Sequence, residues 1–284
     1  MDFIDLHSHS TRSDGVLSPV ELVEKAHASG VRVLALTDHD TMMGVPEAMK
    51  AAEKLGMRLI PGIEISTTTH GRGCHLLAYF DRWEMTATFA QFMQQRLEAR
   101  ERRFDEMVGK FGKIGIAIDA ARVRKQANGG AITRPHVAKA LLEQGIVKDY
   151  QEAFDKYLGN GKPCYVPYEK LPTADTIKEV HQHGGFTSVA HPGLEKFTEQ
   201  EISDLKAAGL DGLEVYHYDH DASARKKYRV IAEKLGLLLT GGSDFHGNNH
   251  RSFYTSNTEK GGVPLHIVEP FLEGVRRAAA KAAA

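Results

Sequence analysis

Apolar blocks, each followed by a stretch of helical spacing, recur along most of this chain. Phe3 to His7 predicts a strand. Ser18-Pro19-Val20-Glu21 predicts a helix start: Ser18 can cap, Pro19 suits the first helical position, Glu21 completes a capping box, and Gly30 ends the helix. Val31 to Thr37 is a second strand, and Val45 to Leu55 is a helix closed by Gly56. Arg58 to Ile65 is a third strand and Cys74 to Phe80 a fourth. After position 170 the rhythm resumes. Helices are expected at Thr173 to His183, Glu199 to Ala208, Ala222 to Leu235 and from Pro264 onward. Strands are expected at Phe186 to Ala190, Gly212 to Tyr216 and Leu237 to Thr240.

The middle breaks this alternation. Thr86 to Phe111 reads as one long polar helix, rich in Arg and Glu. Residues from about 112 to 160 hold short helices and no good strand. Strands alternating with helices predict a parallel α/β architecture with its site at the carboxyl ends of the strands. The expected fold is therefore α/β: a seven-stranded (β/α)7 barrel interrupted by a small helical insertion. The barrel takes residues 1–98 and 161–284, and the insertion, a substrate lid, takes 99–160.

Composition narrows the function classes. The chain has 284 residues and a formal net charge of −1, so no global basic field exists to hold nucleic acid. The near-neutral charge favours a small substrate over a long polymer. Cys74 and Cys164 match no metal or redox spacing and fit a reducing compartment. The start MDFIDLHSHS has no basic segment followed by a long apolar one, and no apolar run suits a membrane span. A cytoplasmic protein with no membrane association and no implied protein partner is expected.

The anomaly is histidine, with fifteen in the chain. His7 and His9 stand two apart at a strand end, so both imidazoles project to one face, ~7 Å apart along the backbone. Asp14 follows on the next loop. Further donors end the other strands: His39 after the second, Glu64 in the third, His75 in the fourth, His191 after the fifth, and Asp244 with His246 after the seventh. These nine metal-ligand candidates exceed what one ion needs and suffice for two or three, with Glu64 bridging. Imidazole and carboxylate without thiolate suit manganese, iron or zinc rather than magnesium or calcium. Asp38 and Asp40, flanking His39, are candidates to orient ligands by hydrogen bonds or to cap helices.

His7-Ser8-His9, Thr37-Asp38-His39, Pro61-Gly62-Ile63-Glu64, His191-Pro192-Gly193 and Ser243-Asp244-Phe245-His246, in this order, resemble the motifs of the polymerase-and-histidinol-phosphatase (PHP) family. The resemblance covers residues 1–80 and 185–250. It implies a distorted seven-stranded β/α barrel with a trinuclear centre that hydrolyses phosphoesters. Carried over, His7, His9, Glu64 and Asp244 would hold the first metal; Glu64, His75 and His191 the second; Asp14, His39 and His246 the third. Three divalent transition metals per chain follow, manganese first, with iron or zinc as alternatives. Catalysis would run through His7, His9, Glu64, His191 and Asp244 by way of a metal-bridging hydroxide.

Substrate contacts are sought in the insertion and nearby loops. Arg134 and His136, Lys162 in a Gly-rich turn, and Arg12 between His9 and Asp14 offer phosphate grips, and Tyr165, Tyr168 or Tyr216 could stack a base. Ile132 to His136, Gly161 to Val166 and Leu213 to His220 resemble the bacterial subgroup acting on nucleoside 3′,5′-bisphosphates. The implied activity removes the 3′-phosphate from a small nucleotide such as adenosine 3′,5′-bisphosphate. The alternatives are 5′-3′ exoribonuclease action on short 5′-phosphorylated RNA, a histidinol-phosphate phosphatase, and a non-catalytic barrel. The complete ligand set argues against the last.

Overall fold

The computed structural model describes residues 3–247, 252–253 and 262–283. Residues 248–250, the end of the second stretch of the family resemblance, lie outside the described residues. The first half runs β1 (Phe3–Asp5), α1 (Pro19–Ala28), β2 (Val31–Leu36), α2 (Val45–Lys54), β3 (Arg58–Thr69) and β4 (Arg72–Tyr79). Helices α3 (Ala87–Lys113), α4 (Ala120–Ala127), α5 (Arg134–Glu143) and α6 (Tyr150–Ala153) follow, the last continuing into a π-helical turn at Phe154–Leu158. Then come β5 (Leu171–Pro172), α7 (Thr173–Gln182), β6 (Phe186–Val189), α8 (Glu199–Ala207), β7 (Gly212–His217), α9 (Ala222–Leu235), β8 (Leu238–Gly242) and α10 (Val268–Ala282).

The sheet order is β1-β2-β3-β4-β6-β7-β8, with the two-residue β5 pairing beside β3. The chain beyond β1 bonds to the end of β8. Leu6 N donates to Gly241 O at 3.1 Å, Asp244 N to His7 O at 2.8 Å, and His9 N to Phe245 O at 2.9 Å. These bonds join the first and last strands. Close approach there needs glycine, since a Cβ on Gly242 would stand 2.4 Å from the His7 nitrogen.

The parallel expectation is corrected at one strand. β4 runs antiparallel to both β3 and β6. β3 continues past Ile65 to Thr69, and Thr69 pairs with Arg72 across the two-residue turn His70-Gly71. Both turn residues have positive φ, 49° and 75°, which suits the twist of a tight hairpin. This reversal has a consequence for the site. His75 lies near the start of its strand, so only an antiparallel β4 brings it to the end where the other strands finish.

Core side chains form three clusters around the sheet and a fourth under the helical segment. The fourth contains Phe104, Met107, Phe111, Val137, Leu141, Cys164 and Val166, all buried. Helix α3 serves both regions: Phe89 and Met93 pack with the sheet, whereas Phe104 and Phe111 pack in the fourth cluster. Thr86 caps it as a side-chain acceptor from Phe89 N. The capping box of Ser18 and Glu21 is present on α1.

Candidate metal centre

The strand ends converge as a ring of buried imidazoles and carboxylates. Glu64 is central. Its Oε1 lies 2.9 Å from His75 Nδ1 and 3.1 Å from His191 Nε2. Its Oε2 lies 2.9 Å from His39 Nδ1, 3.4 Å from His9 Nε2 and 3.5 Å from His7 Nε2. Asp244 Oδ1 approaches His9 Nε2 at 3.1 Å and His7 Nε2 at 3.5 Å. Asp14 lies 3.3 Å from His246 Nε2 and 3.8 Å from His39 Nε2. All nine ligand candidates are thus brought together. His39, Glu64 and His75 form one group able to hold an ion; His7, His9 and Glu64 form another; His9, Asp14, His39 and His246 form a third.

The backbone is bent to make this possible. Asp40, His191 and Asp244 adopt left-handed φ of 51°, 28° and 53°. Such conformations cost about 1–3 kcal/mol each and persist only where the surroundings hold them. Those surroundings are explicit. Asp38 accepts from Ser10 N and Oγ, both at 2.7 Å, and from Ser13 Oγ at 2.6 Å, holding the loop that carries Asp14. Asp40 accepts from Ser66 N at 2.8 Å and from Arg100 Nε at 2.7 Å. Asp5 accepts from His7 N and Ser243 N at 3.2 and 2.9 Å.

Three residues here carry roles that no motif assigned. Glu214 on β7 is fully buried; its Oε1 lies 3.0 Å from His7 Nδ1 and its Oε2 accepts from His191 N at 2.6 Å. An ionised carboxylate only accepts, so His7 carries its proton on Nδ1 and turns Nε2 toward Glu64 and Asp244. His217, 3.5 Å from Asp244 Oδ2, forms a further possible metal group with His7 and Glu214. Arg100 is the third: buried on α3, it ties that helix to Asp40 and Ser66. The signal for Glu214 was a lone carboxylate in an otherwise apolar strand.

Charge and burial oppose each other throughout. Burial pushes the Glu64 carboxyl up, but His39, His75 and His7 outweigh it and hold it well below the usual range. Glu214 is held down at about 2 despite burial, mainly by His7. Burial and the neighbouring His246 push His9 down to about 3, so it stays neutral. His246 is lifted to about 9, because Asp14 and Asp244 overcome its burial.

The donor set fits a metal. His7 Nε2, both nitrogens of His9, Asp14 Oδ1, His39 Nδ1, Glu64 Oε2 and His75 Nδ1 are buried without a hydrogen bond of acceptable geometry. Buried polar atoms are otherwise nearly always satisfied, and unsatisfied imidazole and carboxylate atoms grouped at one place match transition-metal ligation.

Two cavities flank the centre. One, of about 730 Å3, is bordered by Asp14, His39 and His75 and walled by Arg100, Arg103, Arg134, Tyr165, Tyr168 and Lys170. The other, of about 700 Å3, contains His136 in its wall and reaches Asp14, Asp244 and His246. Of the anticipated phosphate grips, Arg134 and Tyr165 face the first cavity and His136 the second. Lys162 is exposed and lines neither. Arg12 lines neither; it pairs with Glu47 and donates to Asn128 O at 2.9 Å. Tyr216 packs, half-buried, against the core beside the sheet and lines neither cavity.

An α/β fold with clustered histidines and carboxylates at its strand ends defines a metal-dependent hydrolase. A family model described as the PHP domain matches residues 5–160. A 5′-3′ exoribonuclease of Haemophilus influenzae is 41% identical over 251 residues, which is 85% of this chain and 89% of that protein. A 3′,5′-nucleoside bisphosphate phosphatase of Chromobacterium violaceum is 35% identical over 263 residues, 90% of this chain and 91% of that one. The crystal structure of a candidate metal-dependent phosphoesterase from Bifidobacterium adolescentis superposes with a TM-score of 0.85 at 29% identity, covering 95% of this chain and 96% of that one. The chain belongs to the PHP domain family. It is a phosphoesterase of that family, with several clusters able to hold metal ions. Among the described residues, no helix is long and apolar enough to cross a membrane.

Proposed function

We propose that this chain removes the 3′-phosphate of nucleoside 3′,5′-bisphosphates, leaving a nucleoside 5′-monophosphate and inorganic phosphate. The observation that carries this reading is the cationic wall of the first cavity. Arg103, Arg134 and Lys170 line it, and none has a carboxylate within ion-pair distance among the described residues. Arg103 instead donates to Val166 O at 2.9 Å and Arg134 to Leu158 O at 3.3 Å. Burial, with repulsion from Arg134 and Arg100, pushes Arg103 down to about 10, so it is still a cation at neutral pH. Buried and half-buried cations, with Arg103 repelled by Arg134, beside these ligand candidates suit a dianion.

The ligand assignment is the same proposal. His7, His9, Glu64 and Asp244 hold one ion; Glu64, His75 and His191 a second; Asp14, His39 and His246 a third. Manganese is the expected metal. Such ions, when bound, activate water as a nucleophile at neutral pH and polarise phosphoryl oxygens. The chain's own residues do the rest. Glu214 orients His7, Asp38 holds the Asp14 loop, and Arg134 and Arg103 grip the phosphate that is not hydrolysed. Tyr165 and Tyr168 flank the nucleoside. Residues 99–160 act as the lid that brings Arg103 and Arg134 over the barrel. Two buried free thiols, Cys74 and Cys164, suit the reducing cytoplasm.

The test compares phosphate release from adenosine 3′,5′-bisphosphate and from histidinol phosphate, in wild type and Arg134→Ala. A charge-assisted contact contributes about 1.5–3 kcal/mol, so the variant should lose roughly ten- to a hundredfold in kcat/KM on the bisphosphate. A mononucleotide bearing only a 3′-phosphate should be much less affected. Equal losses on both nucleotides, or a preference for histidinol phosphate, would overturn the reading.

A further inference from the structure

The first cavity holds a charge that a phosphate would reject. Among the described residues that line it, two are carboxylic acids, Asp14 and Glu195. Asp14 belongs to the ligand candidates. Glu195 does not: it lies, half-buried, in the loop between β6 and α8, four positions after His191. A carboxylate repels a dianion. In a cavity otherwise walled by cations it must therefore face a part of the substrate that is not phosphate.

The fold leaves this carboxylate available. Arg72 holds the Glu195 backbone, donating from Nη1 to its carbonyl at 2.8 Å. The rest of that guanidinium is committed elsewhere. Nη2 donates to both carboxylate oxygens of Glu201 at 2.7 Å, and the group lies 4.7 Å from the centre of the Phe197 ring. Lys170, just before β5, lines the same cavity. It is near enough for Glu195 to strengthen its hold on a proton, yet among the described residues no ion pair joins the two. Gly73 makes room for the ammonium, since a Cβ there would stand 2.8 Å from Lys170 Nζ. An acceptor and a donor are thus left free in the part of the wall built from strands and their loops. Arg103 and Arg134 come instead from α3 and α5.

A carboxylate only accepts hydrogen bonds, and its two oxygens suit two adjacent donors. Among the bases, guanine presents such a pair on its Watson–Crick edge, N1–H and the 2-amino group, with the acceptor O6 beside them. Adenine and cytosine set an unprotonated ring nitrogen next to their amino group, and a carboxylate repels that lone pair. Uracil flanks its N–H with two carbonyls. Resting on the bisphosphate reading of this cavity, we infer that Glu195 sets base specificity: its carboxylate accepts from N1–H and the 2-amino group of a guanine while Lys170 donates to O6. The preferred substrate is then guanosine 3′,5′-bisphosphate. Base and unhydrolysed phosphate are read by different parts of one wall, the first by Glu195 and Lys170, the second by Arg103 and Arg134.

Initial rates on guanosine, inosine and adenosine 3′,5′-bisphosphates, in wild type and Glu195→Gln, test this. Inosine keeps N1–H and O6 but lacks the 2-amino group. A bidentate contact discriminates about tenfold against the wrong base. Wild-type kcat/KM should fall by about that factor from guanosine to adenosine, with inosine between them. An amide in place of the carboxylate presents one donor and one acceptor, the complement of an adenine edge. In Glu195→Gln the ratio of guanosine to adenosine rates should therefore drop to about one or below. The Glu195 carbonyl, not its side chain, binds Arg72, so the substitution leaves that anchor in place. A wild type indifferent to the base, or faster on adenosine, would overturn the inference alone. So would inosine hydrolysed as well as guanosine, and so would a variant that keeps the guanosine preference. A wild type inert on all three compounds would overturn the bisphosphate reading and this inference together.

Discussion

Glu64 sets the geometry at the residue scale because its two oxygens face different histidines. Oε1 meets His75 and His191, and Oε2 meets His7, His9 and His39. Glu64→Ala should therefore release more than one metal equivalent per chain, whereas Asp14→Ala should release mainly one; elemental analysis of protein purified without chelator decides. Glu64→Ala with full metal content would contradict the bridging role. Glu214 touches no cavity but fixes the His7 tautomer, and partners of that kind typically contribute ten- to a hundredfold in metal affinity. Glu214→Gln should weaken metal binding by about that factor. It should also change the acid limb of stability in metal-free protein. The folded carboxyl sits at about 2 against an ordinary value of 4.5, so its contribution is present above pH 4.5 and fades as pH falls through about 2. Glu214→Gln should flatten that limb in urea melts taken across the window; an unchanged slope would show that Glu214 is not its source.

Among the elements, α3 is the one that packs both with the sheet and in the helical segment. Its Arg100 is 5% exposed and pairs with the fully buried Asp40, in the loop after β2. Removing one partner of such a pair strands a buried charge, at a cost of about 3–5 kcal/mol. Arg100→Met should destabilise by that amount in chemical denaturation, and adding Asp40→Asn should recover part of it. A loss below about 1 kcal/mol would mean that Asp40 finds another partner. The Arg and Glu run of α3 was legible as a polar helix. That Arg100 and Arg103 turn inward, toward Asp40 and the cavity, was not, because polar spacing alone does not say which charges face a neighbouring element.

For the whole molecule, bound metal is expected to add to the stability. Ions that bind only the folded chain stabilise it by about 2.7 kcal/mol at a concentration a hundredfold over Kd. For a domain of this size that is a shift of roughly 5–10 °C in Tm. Chelation should lower Tm by that order, and manganese should restore it. Metal loading should release protons near neutral pH, because His246, lifted to about 9, is protonated in the metal-free chain. Calorimetry in buffers of different ionisation enthalpy measures this; a melting curve unmoved by chelation would show that no stabilising ion sits here.

Local chemistry let the sequence by itself determine the alternation of strands and helices, the cap of α1, and the positions of His7, His9 and Asp244 just past strand ends; Glu64, expected at a strand end, lies within β3, which runs on to Thr69. Those features rest on spacing and capping within a few residues. The direction of β4 depended on the His70-Gly71 turn, whose left-handed histidine carries no strong hairpin signature. The burial of Glu214 and the approach of Arg100 to Asp40, sixty positions apart, depended on which elements pack together. Only the tertiary structure decided that Arg12 is held by Glu47 and Asn128 while Arg103 and Lys170 line the cavity with Arg134. A cation's partner is set by three-dimensional proximity, and nothing in its sequence neighbourhood encodes it.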